Sequence, residues 1–212
     1  MGITRVEGEA KNQDYFMAGR LADSSGYTWT LPTRLSEMLC EAEGLFGRRD
    51  LSWTILGVEF GPGPQPQIWY PMNHDGRRHV LIQLAPNALL DGAIACYQLA
   101  HEVVHLLAPN PGVMAPVIEE GAATVFSEDY TERVFGRRNM TSSQTYRAAA
   151  QVVRELLALD PAAIKKMREV EPAFTNFTLE TFEKAGLKAP QLLKEALLTP
   201  FSEVLAVTQL AS

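Results

Sequence analysis

Apolar residues recur along the chain in two rhythms, and the change from one to the other and back divides it. From Thr33, which can cap a helix, Leu35, Met38, Leu39, Ala42 and Leu45 follow at helical spacing, with Glu37 in the first turns and Gly47 as the stop. Three segments then follow, at 51–60, 67–72 and 78–84, each rich in β-branched or aromatic residues and each predicting a strand. Between the first two, Pro62, Pro64 and Pro66 alternate with Gly61, Gly63 and Gln65 and cannot continue a ladder. Between the second and third, Asn73, His74, Asp75 and Gly76 have the composition of a hairpin turn, so a small antiparallel or mixed sheet is expected. The near-continuous apolar run at 79–84 suits a strand covered on both faces.

After Pro86 the rhythm returns to helical. Asn87 or Asp91 can cap a helix that runs to Leu107, where Pro109, Pro111 and Gly112 break it. A second helix begins near Pro116, covers 117–134 and closes at Gly136. Everything beyond reads as helix: from Thr141 or Ser142 to Leu159, from Asp160 and Pro161 to Val170, and more weakly over 178–185 and 190–198. The fold class is therefore α+β. A polar, Gly-rich arm at 1–30 leads into a core at 31–136 and then into a helical part at 137–212, which is either a separate bundle or the lower half of the same domain.

Within the apolar helix three residues break the pattern: His101, Glu102 and His105. Residues four apart on a helix lie about 40° apart around its axis, so both imidazoles point the same way and can bind one metal ion, with Glu102 one step round. This is the His-Glu-x-x-His arrangement of zinc hydrolases, where zinc takes two imidazoles and a third protein ligand and leaves one position for water. Burying two His and a Glu without metal or hydrogen-bond partners would cost several kcal/mol, which weighs against a decorative role. The metzincin pattern, with Gly three and His or Asp six residues after the second His, is excluded because Ala108 and Pro111 stand there.

The next helix opens with Glu119, Glu120, Gly121, Ala122 and Ala123. Over residues 78–130 the chain resembles the gluzincin metallopeptidases, in which the His-Glu-x-x-His helix is followed by one carrying a Glu ligand within a Glu-Gly-x-Ala string. The resemblance implies a zincin-like core, Zn2+ as cofactor, Glu120 as third ligand and Glu102 as general base in peptide hydrolysis. It also implies an oxyanion donor, for which Tyr130, Tyr146, His74 and His79 are the candidates, and a strand edge before the motif helix that holds extended substrate, for which 78–84 is placed. The helical wheel leaves Glu119 as an alternative ligand: it shares a face with Ala122, Ala123, Phe126 and Tyr130, whereas Glu120 shares one with Thr124, Ser127 and Thr131. Thr124 and Ser127 can supply the hydrogen bonds that ligands need around them. Tyr97, one turn before His101, packs or lines the pocket.

Composition narrows the partners. The 212 residues are 46% hydrophobic with a formal charge of −6, enough for a core and unsuited to nucleic acid, which wants a basic face. The arginine pairs at 48–49, 77–78 and 137–138 read as solvated surface charge. Cys40 and Cys96 have no motif spacing and read as small hydrophobes of a reduced compartment. No apolar stretch reaches the ~18 residues of a membrane span, and Val6 stands where a myristoylation signal wants Ser or Thr. A soluble cytoplasmic enzyme acting on a peptide or protein is expected, against two alternatives: a catalytically silent module that binds a partner peptide, and a non-peptide amide hydrolase.

Overall fold

The computed structural model describes residues 19–20, 27–71 and 78–206. The arm contributes β1 (Gly19–Arg20) and β2 (Tyr27–Trp29), paired antiparallel. Trp29 anchors it, with its ring edge-on to Phe135 at 6.5 Å and the Arg34 guanidinium 5.0 Å above it.

Helix α1 (Leu31–Phe46) starts three residues earlier than a Thr33 cap would place it. Its cap is Thr30, and Thr33 is the reciprocal member of a capping box, returning a hydrogen bond to the Thr30 amide. The buried stripe is Leu31, Leu35, Met38, Ala42 and Phe46, while Leu45 faces solvent.

The sheet is mixed, with strand order β3, β5, β4 for β3 (Trp53–Phe60), β4 (Gln67–Trp69) and β5 (Arg78–Leu84). β5 runs parallel to β3, from Trp53 opposite Arg78 to Phe60 opposite Leu84, and antiparallel to β4. β5 has a neighbour on each side, as its apolar run suggests, and the edges among the described strands are β3 and β4. Its apolar run is divided between a fully buried face, Val80, Ile82 and Leu84, and a half-covered one, Leu81 and Gln83. The hairpin turn at 73–76, with His74, lies outside the described residues.

The buried face of the sheet meets α1 and α2 (Gly92–His105). Asp91 caps α2, accepting from the amides of Ala93 and Ile94, and its carboxylate is gripped by Arg137. Asn87 instead accepts from Gln98, whose own carbonyl takes the Ala85 amide. α3 (Val117–Phe135) packs along α2 and ends at Gly136, in the left-handed conformation that favours glycine (φ 64°). α4 (Gln144–Leu159) covers the other side of α3, beginning beyond the predicted Thr141 or Ser142. The Thr141 hydroxyl is buried and tied to Tyr97 and Glu128. α5 (Ala163–Val170), α6 (Leu179–Lys184) and α7 (Gln191–Leu198) complete the molecule, and one buried apolar cluster runs from Leu31 through Leu99, Ile118, Leu156 and Phe182 to Val204. No helix among the described residues is long and apolar enough to cross a membrane.

The α3–α4 contact is unusually close at Gly121. A Cβ placed there would lie 2.5 Å from the Ala149 carbonyl oxygen and 2.5 Å from Val153. Gly121→Ala should therefore destabilise the chain by about 1–2 kcal/mol in urea denaturation, the overpacking exceeding the ~1 kcal/mol that alanine gains in helix propensity.

Candidate metal centre

Close packing of α2 on α3 sets the first turn of α3 against the last turn of α2. His101 Nε2 is 3.2 Å from Glu120 Oε2 and His105 Nε2 is 3.8 Å from the same oxygen. His101, His105 and Glu120 thus offer three ligand atoms within 4.8 Å of one another, a group that could hold a metal ion. Zinc bonds of 2.0–2.1 Å at tetrahedral angles put ligand atoms about 3.3 Å apart, which the His101–Glu120 separation of 3.2 Å approaches.

Glu119 has a different place. Its Oε1 is 2.8 Å from Nδ1 of His105, the nitrogen that faces away from the convergent atoms. A carboxylate there accepts a hydrogen bond from Nδ1–H, which fixes the orientation of the ring and turns Nε2 toward the convergent atoms. The two glutamates are therefore not alternatives: Glu120 converges with the imidazoles and Glu119 supports one of them from behind. Oε2 of Glu119 is buried with no hydrogen-bond partner.

Glu102 is buried, at 5% exposed. Burial raises its carboxyl pKa, opposed by His105 and His101 and reinforced by Glu120. Burial alone would lower His105, but Glu120, the Glu119 hydrogen bond and the charge on Glu102 outweigh it and push the imidazole up to about 10. Burial would likewise raise Glu120, and the two histidines overcome it, bringing the carboxyl down to about 2. Without metal, a proton on His105 supplies the cation that this nest of carboxylates demands.

The other sequence candidates separate. Tyr146 of α4 belongs to the site: its ring meets His101 edge-on at 5.4 Å, backed by Phe201 at 4.7 Å, and burial followed by the charges of Glu120 and Glu102 raises its phenol pKa. Tyr130 lies elsewhere, under the Arg133 guanidinium and against Phe126, where burial and its Arg34 and Cys96 neighbours set its titration. His79 sits on β5 opposite Thr54 and is not in the convergent group. Thr124 and Ser127 do not support the Glu120 carboxylate: their hydroxyls donate to the carbonyls of Glu120 and Thr124. The polar stripe of α3 is thus neither cleft nor solvent face, but hydroxyls satisfied by their own helix.

Two residues near the site carried no signal in the sequence. Tyr70, just past β4, packs on Trp53 at 5.3 Å, and burial together with the charges of Glu119 and Glu102 lifts its phenol to about 12. Its position at the end of a strand beside the motif helix was the available cue. Arg168 of α5 is the second. A cavity of about 960 Å³ opens beside it, lined among others by Glu43, Arg48, Asp50 and Asn110, but includes none of the three convergent residues. That cavity has room without chemistry, so the site is taken from the converging donors.

No protein family, no curated protein and no solved structure matches the chain.

The shifts give a pH dependence with a definite sign. His105 is raised from 6.5 to about 10, so its protonation contributes stability that is full below about pH 6.5 and is lost as pH climbs toward 10. The raised carboxyl of Glu102 acts in the same direction, starting lower. Chelator-treated protein should show a urea midpoint that falls from about pH 6.5 to 10, and His105→Gln should flatten that fall.

Proposed function

We propose that the chain is a metal-dependent hydrolase, and more particularly a gluzincin-type zinc peptidase. The observation that carries the reading is the convergence of His101, His105 and Glu120, with His101 Nε2 and His105 Nε2 both facing Glu120 Oε2 and the buried carboxylate of Glu102 on the histidines' own helix. A ligand set of two imidazoles and one carboxylate suits zinc with one position left open. Zinc held there would supply a Lewis acid and an acidified water.

The protein's own residues account for the rest of the chemistry. Glu102, with its pKa raised by burial, is a base poised to accept a proton from the water at Oε and pass it to the leaving amine. Tyr146, whose raised pKa keeps the phenol protonated, is the oxyanion donor among the sequence candidates that the fold brings to His101. Tyr70 stands near the carboxylates from the sheet side. β4, the antiparallel edge strand in contact with α2, can add an extended peptide by backbone hydrogen bonds.

A second reading, a peptidase-like module that binds a partner peptide without turnover, draws on the low exposure of His101 and Glu102, at 8% and 5%. The two readings part in one experiment. Protein purified without added metal should carry near one zinc per chain, absent in His101→Ala, His105→Ala and Glu120→Ala. Glu102→Gln should keep the zinc and lose cleavage of a diverse peptide library by about 10²–10⁴-fold, the usual worth of a general base. Zinc with no wild-type cleavage would favour the binding module, and no bindable metal would remove both the peptidase and any hydrolase using this site.

A further inference from the structure

Arg168 is 5% exposed and makes no salt bridge among the described residues, yet all its donors are used. Nε donates to the Pro172 carbonyl at 2.9 Å, Nη1 to those of Phe46 and Gly47 at 3.1 and 2.7 Å, and Nη2 to those of Arg48 and Leu107 at 3.0 and 3.1 Å. Phe46, Gly47 and Arg48 form the C-terminal end of α1, where helix carbonyls lack intrahelical partners and the dipole favours a cation. Leu107 lies two residues beyond His105, and its carbonyl also receives the Asp50 amide at 2.8 Å. The turn that ends the motif helix is therefore fastened by a guanidinium from the helical C-terminal part and by the segment leading into β3.

The same charge reaches the site's supporting carboxylate. Among the groups that act on Arg168 electrostatically, Glu119 comes first, ahead of Glu43. Glu119 is the residue whose Oε1 holds Nδ1 of His105 and whose Oε2 is buried without a hydrogen bond. Arg168 bears on His105 itself through the backbone that follows it.

We propose that Arg168 is a positioning residue of the metal centre, which sets the orientation of His105 by clamping the Leu107 carbonyl two residues beyond it. The inference rests on the metal-binding reading of His101, His105 and Glu120. It assigns the C-terminal helical part a share in metal affinity through a residue that touches neither metal nor substrate. A lysine keeps the charge but not the planar fork that reaches carbonyls from two helices.

The test compares wild type, Arg168→Met, Arg168→Lys and a control on the same helix, Ile164→Val, whose side chain is also buried. Zinc affinity is read by competition with a chromophoric chelator, and the coordination geometry by the visible absorption of the cobalt-loaded proteins. Arg168→Met should weaken zinc binding by about 10–100-fold, the range for groups that orient ligands, and should alter the cobalt spectrum. Arg168→Lys should recover part of the affinity, and Ile164→Val should match wild type in both. Arg168 variants that keep the native circular dichroism and bind zinc and cobalt as wild type does would overturn the inference while leaving the metal site standing. So would an equal loss in Ile164→Val, or failure of both Arg168 variants to fold, since each marks a purely structural role; if only Arg168→Met fails to fold, Arg168→Lys decides. A wild-type chain that takes up no zinc overturns the metal reading and this inference with it.

Discussion

Five ionisable groups meet where α2 lies against α3, and burying them together is the constraint on which the molecule depends. His101, Glu102 and His105 come from one helix and Glu119 and Glu120 from the other. None could be left alone in such a place: removing one partner from a buried charge pair typically costs about 3–5 kcal/mol. The pairing works only if two helices approach at one register, so the electrostatics and the packing require each other. In the absence of metal the balance is struck by a proton on His105. A divalent cation would strike it better, since it answers all three converging atoms at once.

That register is enforced from outside the site. Gly121 follows Glu120 directly, and its missing side chain lets α4 sit on the α3 backbone, which brings Tyr146 to His101. Below it, the buried Thr141 hydroxyl joins Tyr97 of α2 to Glu128 of α3, so the same pair of helices is tied again two turns further along. At the far end Arg168 gathers the carbonyls of two helix termini. The site is held by its neighbours at three levels, and little of its geometry is left to the five charged groups themselves.

What the sequence disclosed follows from the range of the interactions concerned. Periodicity, proline breaks and terminal residues are local, and the helix at Val117–Phe135, its Gly136 stop and the end of the helix at Gly92–His105 were legible within a residue or two, while the cap of the latter was narrowed to Asn87 or Asp91. Thr33 was mistaken for the cap of α1 because a capping box carries a hydroxyl at both ends, and the pattern alone does not say which is outside. The parallel pairing of β3 with β5 was not legible, since hairpin chemistry between adjacent strands says nothing about a third strand entering on the other side. Tyr70 and Arg168 were missed for the same reason. Each reaches the site from an element distant in sequence, and neither sits in a local pattern that marks it.

The choice between Glu119 and Glu120 shows where a wheel projection fails in principle. Consecutive residues on a helix are about 100° apart, so one of them was expected to face the metal and the other to face something else. An imidazole has two nitrogens on opposite edges, and a helix crossing beside it can address both edges with neighbouring residues. Glu120 meets the histidines on the Nε2 side while Glu119 meets the Nδ1 side of His105. The apolar company of Glu119 on the wheel was therefore not evidence against a role in the site. It reflects that a carboxylate which holds an imidazole from behind is buried with it, whereas Glu120, which converges with both histidines, is the more open of the two.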